Sequence, residues 1–197
     1  MKVIRKVTMN ADHFEIGDQI KIKLKSAGKF TATCHKITDK GALFVFDNCV
    51  TRRQMNETDT TEGGFDESDL CAWLNTDFID KFPNKYIKRM TRIGEHLISL
   101  LTEEEVFGAD LPFDDQLELM KDPKHRVCSY PDGSRANWWL RDVVNSASFA
   151  YVNAYGNATN NSASNSFGVR PAFMILDPKS PPFMGGSKEG ETVYSEF

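Results

Sequence analysis

The chain has 197 residues, 40% of them hydrophobic, enough to bury a core of one domain with at most a small appendage. A formal charge of −4 and a pI near 5.6 provide no basic field for a phosphate backbone, so nucleic acid is not an expected partner. No apolar run reaches the length of a membrane span, and Met1–Thr8 leads into polar residues instead of the apolar stretch of a secretory signal.

Residues 1–50 read as a small antiparallel β unit packed on the main domain. Ile20, Ile22 and Leu24 alternate with Lys21, Lys23 and Lys25, which predicts a strand with one apolar and one solvated face. The lysine stripe reads as that solvated face and not as a binding patch. Ser26-Ala27-Gly28-Lys29 predicts a hairpin turn, with Phe30–Cys34 returning along the first strand. After Asp39-Lys40-Gly41, the run Ala42–Phe46 is apolar on both sides, as expected of a buried strand.

Residues 51–65 carry no periodicity and read as a loop. A helix comes next, capped by Ser68 or Asp66, with Leu70, Trp73, Leu74 and Phe78 on one face and Pro83 as its stop. Asp66, Glu67 and Asp69 complement the helix dipole at its start, which is preferred over a catalytic carboxylate pair because nothing else converges on them. Thr102–Glu105 matches a capping box with Gly108 as the stop, and another short helix is expected near Asp114–Lys121.

Cys34, Cys49, Cys71 and Cys128 are widely spaced, form no CxxC pair and read as reduced core thiols. A zinc site combining them with His35 and His125 is disfavoured, because ligand pairs normally arrive at short spacing. No metal or redox cofactor is therefore expected. The sequons at Asn56, Asn157 and Asn160 read as ordinary polar residues.

Between Asn137 and Phe167 the texture changes to seven asparagines with Ser, Ala, Phe149, Tyr151, Tyr155 and Phe167. Rigid aromatics supply contact area at low entropy cost and amides supply adaptable hydrogen bonds, the mixture found on antibody-like surfaces. Trp138-Trp139-Leu140 before it and Val169–Leu176 after it are strongly apolar anchors that a free linker would not need. Alternation over Phe149–Tyr155 puts Ala150, Val152 and Ala154 on a core side and Phe149, Tyr151, Asn153 and Tyr155 on an exposed side. That exposed side, with Asn145, Asn157, Asn160, Asn161, Asn165 and Phe167, forms the candidate ligand-binding set, and the 138–176 segment is expected as core strands plus a long exposed excursion. Trp138, Trp139 and Arg170 read as structural, and Arg141 and Arg170 as makers of buried or capping hydrogen bonds.

Trp138–Arg141, Ala150-Tyr151-Val152, Gly156 and Gly168–Phe173, with the Ser68–Asn75 helix, resemble an uncharacterised domain family frequent in Gram-positive bacteria and their phages. The C-terminal half resembles the C-type-lectin-like fold shared with formylglycine-generating enzymes and with the variable proteins of diversity-generating retroelements. That resemblance implies an α+β fold with a C-type-lectin-like domain over 51–176, a variable-region-like segment over 138–173 and a C-terminal tail over 177–197. It also implies a non-enzymatic chain whose partner is a protein or surface receptor; with no signal or span visible, a cytoplasmic or virion-associated chain is expected, and the sequence does not choose between virion display, export and the cytosol. The alternatives are a structural component of a phage or cell surface, or a formylglycine-generating-type oxidase. The oxidase would need a cysteine pair near the C-terminus, whereas the last cysteine here is Cys128. A calcium-dependent lectin would need carboxylates that the Asn cluster lacks.

Overall fold

The computed structural model describes residues 13–109 and 115–176. The tail expected over 177–197 and the start of the helix expected at Asp114 lie outside these residues. The fold is α+β and mostly β, with two sheets. The first contains β1 (Gln19–Leu24), β2 (Gly28–Thr38), β3 (Gly41–Phe46), β5 (Met90–Thr91), β6 (Ile98–Ser99) and β11 (Ala172–Ile175). Its strand order is β1-β2-β3-β11-β5, with β6 also pairing β11. The second contains β4 (Thr51–Arg53), β7 (Trp138–Asn145), β8 (Ser148–Val152), β9 (Ala158–Ser162) and β10 (Phe167–Val169), in the order β4-β10-β7-β8-β9.

The expected hairpin forms at Ser26–Lys29: Leu24 pairs with Gly28, and Ser26 takes a left-handed φ of 57°. β3 is buried along its whole length, as its unbroken apolar run requires. It pairs antiparallel with β11, so the N-terminal strands and residues 172–175 share one sheet. Two neighbouring chain segments cross from one sheet to the other, β3 into β4 and β10 into β11. Phe46 N–H donates to Pro171 O at 3.0 Å and Val50 N–H to Val169 O at 2.8 Å, which fastens the crossings together.

The central strands are covered on both faces, and alternate side chains enter two different cores. Phe44, Phe46, Phe173, Trp139 and Phe149 join one core with the helical residues Leu70, Leu74 and Phe78 and with Phe82 just after them. Leu43, Val45, Ala172, Trp138, Leu140, Ala150 and Val152 join the other, with Leu101, Val106 and Met120. Phe46, Phe82 and Phe173 meet with ring centroids 5.5 to 6.1 Å apart, mostly edge to face, the geometry that aromatic quadrupoles favour.

Helix α1 (Asp69–Trp73) starts at Ser68, whose Oγ accepts from Cys71 N–H at 3.1 Å. The helical path continues through a wider turn over Leu74–Phe78 and a tighter one over Ile79–Lys81, ending before Pro83. Helix α2 (Asn84–Ile87) comes next. Helix α3 (Glu103–Phe107) carries the capping box on Thr102 and Glu105 and stops at Gly108. Near the third expected helix the described residues form only a tight turn over Glu118–Lys121.

Candidate functional site

Cross-strand register places Arg53 opposite Phe167, Trp139 opposite Tyr151, and Tyr151 opposite Thr159. Gly168 pairs with Trp138, so Phe167 lies on the Trp139 side of the sheet. Arg53, Phe167, Trp139, Tyr151 and Thr159 thus form one row across four β-ladders. Trp139 is fully buried at the bottom of this row and donates its indole N–H to Arg53 O at 2.9 Å. Phe167 and Tyr151 lie over it, half-buried, with their ring centroids 4.4 Å apart and 4.8 and 6.1 Å from Trp139. The Arg53 guanidinium covers the ring of Trp73 at 4.5 Å, which extends the aromatic surface past β4.

Two asparagines of the candidate set border this row. Asn161 lies on the same face as Tyr151, one position diagonal to it, and its Oδ1 accepts from Asn165 Nδ2 at 2.6 Å and from Ser162 N–H at 2.8 Å. Asn165 is exposed in the loop that leads to Phe167, and the neighbouring Ser164 is held by Asp59. Tyr151, Asn161, Asn165 and Phe167 therefore form one local surface: aromatic at its base, amide at its rim.

The other candidates lie elsewhere. Phe149, expected on the exposed side, is fully buried. The alternation itself is correct, but this face of β8 is covered too. Segment 55–64 crosses beside it, fastened by Met55 N–H to Ala163 O at 2.9 Å and Thr61 N–H to Ser146 O at 3.2 Å, and Phe149 shares a core with Met55 and Phe65. Tyr151 is likewise half-buried and not free. Asn153 braces the β8–β9 turn, its Oδ1 accepting from Tyr155 N–H at 2.9 Å and Asn157 N–H at 3.2 Å. Tyr155, 75% exposed, and Asn157 project from that turn. Asn145 is exposed at the β7–β8 hairpin, at the other end of β9, about 14 Å away at about 3.4 Å per step. Asn160 pairs with Ala150 and so faces the side opposite Asn161. The expected long excursion is in fact a tight meander, because residues 158–162 form β9.

The fold also brings together groups that sequence spacing did not connect. Cys49 and Cys128, 79 positions apart, lie with their sulfurs 3.2 Å from each other. Asp66, Cys71 and His96 place one ligand-type atom each within 4.8 Å of one another. His96 Nε2 is 3.2 Å from Asp66 Oδ1, and burial, then the Asp66 charge, pushes the Cys71 thiol up to about 11, so the sulfur is protonated at neutral pH. These three donors are one fewer than a closed tetrahedral shell requires.

A second concavity, about 340 Å³, is lined by Gln19, His35, Asp47, His125 and Arg170 among others. Arg170 is buried as expected; its Nε donates to Phe46 O and its Nη1 to His125 O, both at 2.8 Å, with the guanidinium 4.8 Å from the Trp138 ring. Arg141 departs from expectation, since its Nε is buried without a hydrogen-bond partner among the described residues. His35 Nδ1 is in the same position, and burial first, then the Arg170 and His125 charges, lowers its pKa to about 3.

No curated protein and no solved structure matches the chain. A family model described as "Domain of unknown function (DUF6273)" matches residues 39–177, from the β2–β3 turn through β11 and including the whole second sheet. With that span covered, the chain belongs to the DUF6273 family.

Proposed function

We propose that this chain is a non-enzymatic ligand-binding protein with a C-type-lectin-like scaffold. Its ligand, a protein or surface receptor, is received by the face formed by Tyr151, Asn161, Asn165 and Phe167. We further propose that segment 138–173 is diversified, as in the variable proteins of retroelements. The observation that carries the reading is the half-buried Tyr151–Phe167 stack seated on Trp139 with an amide rim. Partly desolvated aromatics beside adaptable hydrogen-bonding groups are the composition from which binding hot spots are made.

Two further features support it. The anchors of the segment are tied to the rest of the chain through groups that diversification would leave alone: Trp138 Nε1 donates to Arg126 O at 2.8 Å, and Trp139 Nε1 to Arg53 O. The exposed positions Asn157, Asn160 and Asn165 lie on a meander held by backbone ladders, which do not depend on side-chain identity.

The test has two parts. The DNA beside the gene is expected to carry a reverse-transcriptase gene and a near-copy of the codons for residues 138–173; its absence refutes the diversification. For binding, the Asn161→Ala/Asn165→Ala double variant is screened beside the parent on an array of purified bacterial surface proteins. It is expected to lose at least about tenfold in affinity, equivalent to about 1.4 kcal/mol, at an unchanged melting midpoint. Unaltered binding by the double variant refutes the placement of the face.

A further inference from the structure

Of the four cysteines, Cys34 and Cys71 sit among carbon, oxygen and nitrogen neighbours. The Cys34 sulfur approaches Lys36 O at 3.8 Å, and the Cys71 sulfur approaches Asn75 Nδ2 at 3.8 Å. Cys49 and Cys128 differ in having each other. Their sulfurs are 3.2 Å apart, and either thiol can donate to the other. A disulfide needs the sulfurs to close to about 2.05 Å, a shift of about 1 Å that side-chain rotation can supply when the two backbones are already side by side.

The backbones are held that way. Cys49 N–H donates to Ser129 O at 3.0 Å, and Ser129 N–H donates to Asn48 Oδ1 at 2.9 Å, so each cysteine's neighbour is bonded across the pair. Ala136 N–H donates to Cys128 O at 3.0 Å, which ties the Cys128 segment to the chain leading into β7. Gly168 leaves the space that the Cys49 sulfur fills: a Cβ there would collide with Cys49 Sγ and stand 3.1 Å from Tyr130 Cε1.

From this geometry we infer that Cys49 and Cys128 are a redox pair, which closes to an intramolecular disulfide when the chain meets a low-molecular-weight disulfide oxidant. The bond would staple the β3–β4 crossing to the neighbouring segment that precedes β7, closing a loop that contains the helices lying between the two cysteines in the chain. The charge environment agrees. Arg52 and Arg170 both lie close enough to favour a thiolate, and the Cys128 thiol is held low by the hydrogen bond from Cys49, while burial keeps Cys49 itself protonated.

Both thiols are nearly sealed, at 0% and 3% exposure. A surface cleft of about 600 Å³, however, has Cys49, Ser129 and Tyr130 in its wall, so displacement of the 129–135 hairpin around Tyr130 opens the pair. In the reaction one protein thiolate attacks a sulfur of the oxidant RSSR and expels RS⁻. The second protein thiolate then attacks the protein-side sulfur of the mixed disulfide and expels the second RS⁻. Two protein thiols lose two protons and two electrons, and RSSR becomes two RSH.

The experiment uses the full chain, purified under reduction and then equilibrated with oxidised glutathione, acid-quenched, alkylated and mapped by mass spectrometry. A Cys49–Cys128 linked peptide is expected, with Cys34 and Cys71 still alkylated, and a higher melting midpoint than in the dithiothreitol-treated protein. Four alkylated thiols in excess oxidised glutathione, or linkage through Cys34 or Cys71, would overturn the inference. Cys128→Ser is expected to remove the response of the midpoint to oxidant. Because that variant can fail to fold, Cys34→Ser/Cys71→Ser must keep the response in full, and a response lost there overturns the pairing as well.

Discussion

Acidification offers a sharp test of the core, because His35 on β2 is buried, at 2% exposure, with Nδ1 lacking a hydrogen-bond partner. Its pKa falls from an ordinary 6.5 to about 3 in the folded chain, through burial first and then the charges of Arg170 and His125. In the unfolded chain the ring takes up a proton below pH 6.5, whereas the folded ring does not. The stability it contributes is therefore present in full above pH 6.5 and is lost as pH falls toward 3. One proton bound only by the unfolded state corresponds to about 1.4 kcal/mol per pH unit, so moving from pH 6.5 to 4.5 removes about 3 kcal/mol. That is a large share of the roughly 5–15 kcal/mol that holds a typical domain together. Urea unfolding of the parent and of His35→Gln at a series of pH values between 7 and 4.5 isolates this contribution. Any fixed cost of the substitution cancels, because the quantity read is the change in the difference between the two proteins. That difference is expected to shift by about 3 kcal/mol in favour of the variant as the pH drops. If the two proteins lose stability in parallel, His35 is protonated in the folded state and does not cause the acid sensitivity.

Phe149→Ala empties a fully buried ring site in the core that also holds Met55 and Phe65 and is expected to cost about 3–5 kcal/mol in chemical unfolding, whereas Tyr155→Ala, at a 75% exposed turn, should stay within about 0.5 kcal/mol. Equal effects would contradict the burial assigned to them. Gly168→Ala places a methyl group 2.8 Å from Asn137 O, a backbone atom that cannot swing away, and overpacking of this kind typically costs about 1–3 kcal/mol; an unchanged melting midpoint would count against the close packing at Cys49. Asp142 accepts from Glu103 N–H at 2.6 Å, yet burial raises its pKa, so Asp142→Asn should leave stability at pH 7 unchanged or increased and flatten its decline as pH rises through the carboxylate range; marked destabilisation in a thermal melt would argue against this. Chelator treatment should leave the melting midpoint unchanged, and a fall accompanied by release of stoichiometric zinc would assign the Asp66–Cys71–His96 cluster a structural metal.

Features decided within a few residues were legible in the sequence. The Ser26–Lys29 hairpin, the Ser68 cap, the Thr102–Glu105 box and the fully buried β3 all depend on local spacing, backbone preference or an unbroken apolar run. Tertiary structure decided the rest, because the missing information was which distant segment covers which surface. The period of two correctly separated Phe149 and Tyr151 from Ala150 and Val152, but a strand pattern does not tell whether its second face meets water or another layer. Here segment 55–64, which has no periodicity of its own, crosses beside β8 where Phe149 is fully buried, while Tyr151 and Phe167 stay half-buried. The same limit applies to the groups brought together from afar. Cys49 with Cys128, and Asp66 with Cys71 and His96, meet because the sheets and the helical layer fold around them. Spacing along the chain constrains contacts within a turn or a hairpin, where the backbone itself sets the distance; across 79 residues it sets none, and only packing of the intervening layers brings two sulfurs to 3.2 Å.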